Sequence, residues 1–300
     1  SAVAQGFLNK EGIQTVILFP SGGVTSLQES QFATLGGNVQ ALEVSGTFDD
    51  CQKLVKQAFL DHRLNQEIKL GSANSINIGR LLPQIFYYFH AYGQLPTKKQ
   101  PLFSVPSGNF GNLTAGLIAK RLGLPIRGFT AATNINDAVP EYLKTGFVRP
   151  RASIPTISNA MDVGDPSNFA RMEYLYKSDL NSIRKDIVGS VHTDEETRAC
   201  IREMYQSTGK ILDPHSAVGY LGIKSGKSAF GPGPSVFLMT AHPIKFQETV
   251  EKETDCVLEI PRTVSSALSS KRKVTPIGTD LSELRELLIE NQRNKDHPVS

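Results

Sequence analysis

The chain has 300 residues, with 32 basic and 29 acidic side chains and a formal net charge of +3. A charge this small and evenly spread excludes the strongly basic or acidic surfaces that typify nucleic-acid or membrane binding. Three widely spaced cysteines, no apolar run near the roughly 20 residues of a membrane span, and no signal-peptide pattern predict free thiols and a cytoplasmic location.

The first 70 residues alternate between strand and helix patterns. "TVILF" (Thr15–Phe19) is a β-branched run closed by a glycine-rich turn, and "NVQALEV" (38–44) is a second strand. Ser26–Glu29, "SLQE", has the form of a capping box, so a helix should follow it. A further helix is predicted over 47–62, where threonine and aspartate precede apolar residues at helical spacing.

The same alternation resumes further along the chain. Helices are predicted over 80–93, after Gly111 and near 136–146, and strands over 101–106 and 125–133. Strands that alternate with helices favour mostly parallel sheets with helices on both faces. The predicted fold class is therefore α/β.

The remaining third of the chain is less regular. Residues 150–230 are predicted to be mostly helical, "SVFLMT" (235–240) to be one buried strand, and 279–292 to be a closing amphipathic helix. We predict two lobes, in which residues 1–70 form part of a small lobe and residues 71–300 form a large lobe that binds the cofactor.

The turn "SGNFGN" at 107–112 joins a predicted strand to a predicted helix. Glycine permits positive φ and a close approach of the backbone, and a helix N-terminus carries about half a positive charge. Main-chain N–H groups from Gly108 to Asn112 should therefore converge on a phosphate without help from basic side chains. The alternative is a bare tight turn in which Asn112 is the helix N-cap.

Six separated segments occur in an order that points to one family. They are "GSANSINIGR" (71–80), "VPSGNFGN" (105–112), "ATNINDAVPEYLKTG" (132–146), "SNAMDVGDPSNFAR" (158–171), "DPHSAVGY" (213–220) and "LMTAHPIKF" (238–246). From Ser1 to about residue 260 the chain resembles the threonine synthase family, in its bacterial and fungal branch. The resemblance implies a fold-type II enzyme, similar to the tryptophan synthase β subunit, with pyridoxal 5′-phosphate (PLP) as cofactor.

The resemblance also implies roles for particular residues. The cofactor phosphate would be held by Ser107, Gly108, Asn109, Phe110, Gly111 and Asn112, and Thr240 would face the pyridine nitrogen. The phosphate of the substrate, O-phospho-L-homoserine, would be held by Asn74, Ser75, Asn77 and Arg80. The plainer alternatives are that Ser75 caps a helix, that Arg80 is solvated and that Thr240 is an ordinary buried threonine at a strand end.

The lysine that forms a Schiff base with the cofactor is expected upstream of Ser1, because Ser1 matches the residue after a loop that follows this lysine in the family. The catalytic residue is accordingly left unknown. Lys120 and Lys245 lie near matching segments, but both are interpreted as surface lysines on helices. We therefore expect a carboxyl-terminal portion of a longer enzyme that is inactive alone.

Other polar residues have less certain roles. Asn134, Asn136 and Asp137 lie at a strand-to-helix turn, where capping and ligand contact are not distinguished. Asp213 is predicted to be an N-cap followed by proline at the first helical position, and His215 is a candidate pocket residue. The histidines and cysteines show no metal-ligand spacing.

The predicted function is threonine synthase, the conversion of O-phospho-L-homoserine and water to L-threonine and phosphate. One alternative is a PLP-dependent eliminase that acts on a phosphorylated amino acid, and another is an inactive anion-binding fragment. The expected partner is the small-molecule substrate, with neither nucleic acid nor membrane, and the expected assembly is a monomer or homodimer.

Overall fold

The computed structural model describes residues 2–97 and 99–296, and these form two compact units. The first unit contains the residues up to Ser72 together with those from Ile260 onward, and the second is Ala73–Glu259. The sequence had assigned all of 71–300 to one lobe. The residues from Ile260 onward instead belong to the first unit, because a short strand near residue 275 completes its sheet.

The strands and helices of the described residues are numbered in chain order. The strands are β1 Thr15–Pro20, β2 Val39–Val44, β3 Leu102–Pro106, β4 Gly128–Thr133, β5 Ile187–Val191, β6 Ser235–Phe237 and β7 Val274–Ile277. The helices are α1 Ala2–Phe7, α2 Ser26–Ala33, α3 Phe48–Leu60, α4 His62–Glu67, α5 Leu82–Gln94, α6 Gly111–Arg121, α7 Ala138–Thr145, α8 Phe169–Leu175, α9 Leu180–Asp186, α10 Asp194–Thr208, α11 Pro214–Phe230, α12 Gln247–Thr254, α13 Arg262–Leu268 and α14 Leu281–Asp296. None of the helices in these residues has the length and apolar character that crossing a bilayer requires.

The first unit has a parallel sheet in the order β1-β2-β7. Strand β7 was not predicted, because "VTPI" is only four residues long and contains a proline, which disfavours a strand assignment. The predicted capping box is displaced by one residue: Thr25, not Ser26, caps α2 in a reciprocal pair with Gln28. Leu42, Leu54 and Leu64 are fully buried in the core between this sheet and its helices.

The second unit has a parallel sheet in the order β5-β4-β3-β6. All residues of β3 and β4 are buried, as expected for central strands that are covered on both faces. Strand β5 lies in the region predicted to be mostly helical. Its pattern is interrupted by Gly189, where a Cβ would lie only 2.8 Å from the Cα of Pro140.

Strand β6 is shorter and less buried than predicted. It ends at Phe237 rather than at residue 240, and its three residues are half-buried because it pairs only with β3, at the edge of the sheet. The carboxyl ends of these parallel strands nevertheless meet at one edge of the sheet, which is where ligands bind in open α/β sheets. The turn that follows β3 therefore lies at this edge.

Helices α5 and α6 pack against this sheet through a group of aromatic rings. The ring of Tyr88 lies edge-on to Phe103 and Phe129, with centroid distances of 5.0 and 6.0 Å. Gly116 makes this packing possible, since a Cβ there would lie 2.6 Å from the Tyr88 ring. The Tyr88 hydroxyl donates to the main-chain oxygen of Asn112 at 2.8 Å and to its Oδ1 at 2.9 Å.

Tyr88→Phe should lower the free energy of unfolding by about 1–3 kcal/mol, because the part-buried oxygens of Asn112 lose the hydroxyl group that they share as a donor. Urea denaturation of the purified protein measures this change. Tyr174→Phe is the matched control, since the Tyr174 side chain is 85% exposed and its variant should be as stable as the parent. Equal stability of the two variants would contradict the prediction.

Candidate active site

The turn between β3 and α6 begins with a serine whose donors are both used by the protein. The Ser107 N–H donates to Ala132 O at 2.8 Å, and its hydroxyl donates to Val105 O at 2.9 Å. The side chain is buried. Ser107 therefore fastens the end of β3 to β4 and has no donor left for a ligand.

Phe110 has an unusual backbone conformation in this turn. Its φ and ψ are 59° and 13°, in the left-handed region where bulky residues are rare, and its ring is buried in the core of the second unit. Positive φ was expected at the glycines, but neither Gly108 nor Gly111 adopts it. Burial of the Phe110 ring holds the strained backbone in place, as is common at functional sites.

Gly108 is required for a different reason, which is the close approach of another main-chain segment. A Cβ at Gly108 would lie 2.6 Å from Met161 Cα and 2.9 Å from Ala160 O. At Gly111 the nearest atom to such a Cβ would be Ser75 Cβ at 3.4 Å, which is an ordinary contact. The turn is thus pressed against residues 160–161 at Gly108.

The N–H groups that follow Ser107 are the main chemical feature of the turn. Within the described residues, no protein acceptor takes a hydrogen bond from the main-chain N–H of any residue from Gly108 to Leu113, and the helical series starts at Thr114 N–H to Phe110 O, 2.9 Å. Phe110, without a side-chain cap, is the N-cap, so the assignment of Asn112 as N-cap is wrong. Unbonded N–H groups at a helix N-terminus form a site for an anion.

The segment 73–80, named here the substrate loop, is closed by its own polar groups. Asn77 caps the short 3₁₀ turn Ile78–Arg80 through Gly79 N–H at 2.9 Å, so the helix-capping role considered for Ser75 belongs to Asn77. The Ser75 N–H donates to Asn74 Oδ1 at 2.6 Å. The Arg80 guanidinium donates through Nη1 to Ala73 O, which joins the two ends of the loop.

The structure brings the substrate loop and the turn 107–112, named here the cofactor cup, into direct contact. Asn109 Nδ2 donates to Ser75 Oγ at 2.6 Å. Asn109 Oδ1 accepts from the N–H and the hydroxyl of Ser167 at 2.6 and 2.9 Å. The Asn109 side chain therefore links protein segments through Oδ1 and one of its two Nδ2 hydrogens, and its main-chain N–H has no acceptor among the described residues.

Sequence reasoning gave no role to three residues that line this contact, Ser167, Asn168 and Arg171. Asn168, which is fully buried, donates to Asn109 O at 2.9 Å, and Arg171 donates to Asn168 Oδ1 at 2.6 Å. All three lie within the segment "SNAMDVGDPSNFAR" that carried part of the family resemblance. The density of polar residues in that segment was thus the feature of the sequence that could have identified these three residues.

Thr240 lies beyond the end of β6, in a position that corresponds to the start of the cup. Ser104 of β3 pairs with Phe237 of β6, and Ser107 and Thr240 each follow three residues later. Both residues therefore extend past the carboxyl ends of neighbouring parallel strands. Thr240 is exposed and outside the strand, so its description as a buried threonine at a strand end is wrong.

Comparisons with known proteins agree on one family. Residues 4–241 match the family model described as pyridoxal-phosphate dependent enzyme, and 216–288 match the model described as threonine synthase, C-terminal. A threonine synthase of Haemophilus influenzae is 46% identical over 97% of this chain and 68% of its own length. The chain belongs to the threonine synthase family.

Solved structures give the same result. The crystal structure of threonine synthase from Escherichia coli matches with a TM-score of 0.88 and 44% identity, over 97% of this chain and 67% of that one. The PLP-bound threonine synthase from Brucella melitensis matches with a TM-score of 0.87 and 33% identity, over 97% and 68%. The predicted fold class, fold-type II α/β, and the predicted family are confirmed.

Behind the cup, a buried polar network fixes residues 154–162. Asn134 Nδ2 donates to Thr156 Oγ1 and to Asp162 Oδ1, both at 2.8 Å, and Asn136 Nδ2 donates to Ile154 O at 2.9 Å. Burial raises the pKa of the Asp162 carboxyl, and the hydrogen bonds from Thr156 and Asn134 partly oppose this. Asn134 and Asn136 thus bind protein groups through their side chains.

Asp137, the third polar residue of that turn, has a separate contact. It pairs with Arg151 at 2.8 Å and makes no side-chain capping bond to α7. Its side chain thus contacts Arg151 in the segment that follows α7.

His215 also contacts the segment 154–162, at Ala160. Asp213 is the N-cap of α11, with Pro214 at the first helical position as predicted, and its Oδ2 lies 2.8 Å from His215 Nδ1. The His215 Nε2 accepts from Ala160 N–H at 3.2 Å. His215 therefore supports the turn against which Gly108 packs.

The two lysines that lie near the matching segments have different surroundings. Lys120 pairs with Asp186 at 2.7 Å, and Lys245 is half-buried in the 3₁₀ turn Pro243–Phe246. Among the residues that the structure describes, no cluster of three or more His, Cys, Asp or Glu side chains has the geometry of a metal site.

Proposed function

We propose that the protein converts O-phospho-L-homoserine and water to L-threonine and phosphate. The observation that carries this proposal is the contact between two anion-binding segments, the cofactor cup and the substrate loop, through Asn109 and Ser75. A PLP enzyme with a phosphorylated substrate must bind two phosphates near one reacting carbon chain. Adjacent segments of this kind meet that requirement.

The cofactor cup fits the phosphate of PLP. Its unbonded N–H groups run from Gly108 to Leu113, and each hydrogen bond to a charged oxygen contributes about 1.5–3 kcal/mol. The left-handed conformation of Phe110 determines the direction of these donors. The glycine at 108 allows the turn to lie close to residues 160–161. When bound, PLP supplies an electron sink for charge that develops on the substrate carbons. Ser107, with no donor left, supports the turn.

The substrate loop would bind the phosphate that leaves. Arg80 offers a planar fork of N–H donors that matches phosphate oxygens, and only its Nη1 has a protein partner among the described residues. Asn74, Ser75 and Asn77 complete the set that we propose for this role. Donors fixed around a departing phosphate stabilise the charge that accumulates on it.

Thr240 would contact the cofactor ring from the neighbouring strand. Its place beyond β6, level with the start of the cup beyond β3, supports this role. A hydroxyl there donates a hydrogen bond to a ring nitrogen without adding a charge, so the ring would attract electrons less strongly than one paired with a carboxylate.

The reaction products test this proposal directly. The full-length enzyme, supplied with PLP and O-phospho-L-homoserine, should release threonine and phosphate in equal amounts, measured by chromatography and by a phosphate assay. Release of 2-oxobutyrate in place of threonine would show an eliminase. Binding of PLP without any product would show an anion-binding protein and would overturn the proposal.

We also propose a cytoplasmic location and a monomeric or homodimeric assembly. Cys51, Cys200 and Cys256 form no disulfide among the described residues, which fits a reducing compartment. Burial raises the pKa of the Cys51 thiol to about 11. Light scattering of the purified protein would reveal any larger assembly.

A further inference from the structure

We infer that Arg171 is a positioning residue that fixes the substrate loop against the cofactor cup. The inference rests on the proposed function, since it takes the substrate loop as the site of the substrate phosphate. Arg171 lies in the first turn of α8 and reaches two consecutive carbonyls of the loop. Its Nη1 donates to Ser75 O at 3.0 Å, and its Nη2 donates to Ile76 O.

These contacts close a ring of hydrogen bonds around the site. Arg171 bonds to Asn168, Asn168 bonds to the carbonyl of Asn109, Asn109 bonds to the Ser75 hydroxyl, and the Ser75 carbonyl accepts from Arg171. The ring joins three chain segments that are far apart in sequence. A closed ring fixes the distance between cup and loop, whereas a single bond would leave the loop free to tilt.

The loop needs such an external support. Apart from the short 3₁₀ turn at its end it has no regular structure, and three of its hydrogen bonds, made by Asn74, Asn77 and Arg80, lie within the loop itself. Removal of Arg171 would free two adjacent carbonyls and one link to Asn168. The remaining described tie to the cup would be the bond between Asn109 and Ser75.

An arginine suits this task because its planar guanidinium carries several donors in a fixed geometry. Here Nη1 donates hydrogen bonds to Ser75 O and Asn168 Oδ1, and Nη2 donates one to Ile76 O. A lysine keeps the positive charge but presents one ammonium on a flexible stem. Arg171→Lys therefore separates a positioning role from simple attraction of the phosphate by charge.

The chain offers a matched control in Arg184, within the same unit. Arg184 also holds two consecutive carbonyls of a distant segment, with Nε to Leu143 O at 2.6 Å and Nη2 to Lys144 O at 3.0 Å. Arg184→Gln thus breaks the same kind of contact away from the site. Its loss of stability should resemble that of Arg171→Gln.

The test compares Arg171→Gln, Arg171→Lys and Arg184→Gln with the parent protein, all prepared as the full-length enzyme. The measurements are the KM for O-phospho-L-homoserine, the inhibition constant of inorganic phosphate, the dissociation constant of PLP by equilibrium dialysis, and urea unfolding. Both Arg171 variants should raise the KM and the inhibition constant together by about tenfold or more, the effect of one charged hydrogen bond. PLP binding should change by less than about threefold, and Arg184→Gln should change none of the three constants by more than that.

Other outcomes would overturn the inference in distinct ways. Parental constants in Arg171→Lys, with a raised KM only in Arg171→Gln, would show that charge alone matters. A parallel rise in the PLP dissociation constant would show that Arg171 supports the whole site. Equal effects of Arg184→Gln would show a general loss of structure.

Calorimetry with inorganic phosphate, with PLP present in saturating amount, separates this inference from the proposed function. If the parent protein makes no threonine, the proposed reaction fails. A phosphate affinity that is the same in the parent protein and in Arg171→Gln, or no phosphate binding by the parent protein, overturns the inference.

Discussion

Gly108→Ala is expected to weaken PLP binding by about 100-fold or more. The new Cβ would lie 2.6 Å from Met161 Cα and 2.9 Å from Ala160 O, which are main-chain atoms that cannot rotate away. The turn that carries them is held by His215, so the cup must move instead. Loss of one or two hydrogen bonds to a charged oxygen, at about 1.5–3 kcal/mol each, gives an effect of this size.

Equilibrium dialysis with PLP and urea unfolding measure this change. Gly93→Ala is the control, because no heavy atom lies within 4 Å of a Cβ built there, in α5. That variant should bind PLP as the parent does and gain about 0.5–1 kcal/mol of stability. Unchanged PLP affinity in Gly108→Ala would show that the phosphate is bound elsewhere.

Much of the α/β architecture could be predicted because strand and helix patterns alternate strongly where both elements are buried. Strands β1 and β3 and helix α3 match the sequence prediction within about two residues. The two missed strands, β5 and β7, are short and contain Gly189 and Pro276. Their strand character comes from pairing with β4 and β2, which a local pattern does not reveal.

The local structure of the candidate site was predictable, and its hydrogen bonds were less so. The sequence correctly predicted a strand, a glycine-rich turn and a helix here, but the left-handed conformation of Phe110 depends on burial of its ring in the core. Likewise, the use of Ser107 and Asn109 for bonds within the protein depends on partners in β4 and in 165–171. Tertiary contacts decided which donors remain for a ligand.

In the full-length enzyme, Arg80→Ala is expected to lower kcat/KM for O-phospho-L-homoserine by about 100-fold, the effect of losing a charged donor to a phosphate. PLP binding should persist, because the cup contains no part of Arg80. Steady-state kinetics and dialysis measure the two effects. Arg149→Ala is the control, since Arg149 is 71% exposed and its one ion pair within the described part of the chain is a 3.9 Å contact with Glu141. Parental kinetics in Arg80→Ala would reject its role.

The way in which this loss divides between kcat and KM distinguishes Arg80 from Arg171. Charge builds up on the phosphate as it departs, so a donor that touches it binds the transition state more strongly than the bound substrate. Arg80→Ala should therefore lower kcat as well as raise KM. Among the described residues, Arg171 donates to two carbonyls and to the side-chain amide of Asn168, and its loss should act mainly on KM. A fall in kcat that is equal in the two variants would mean that both act by holding the loop.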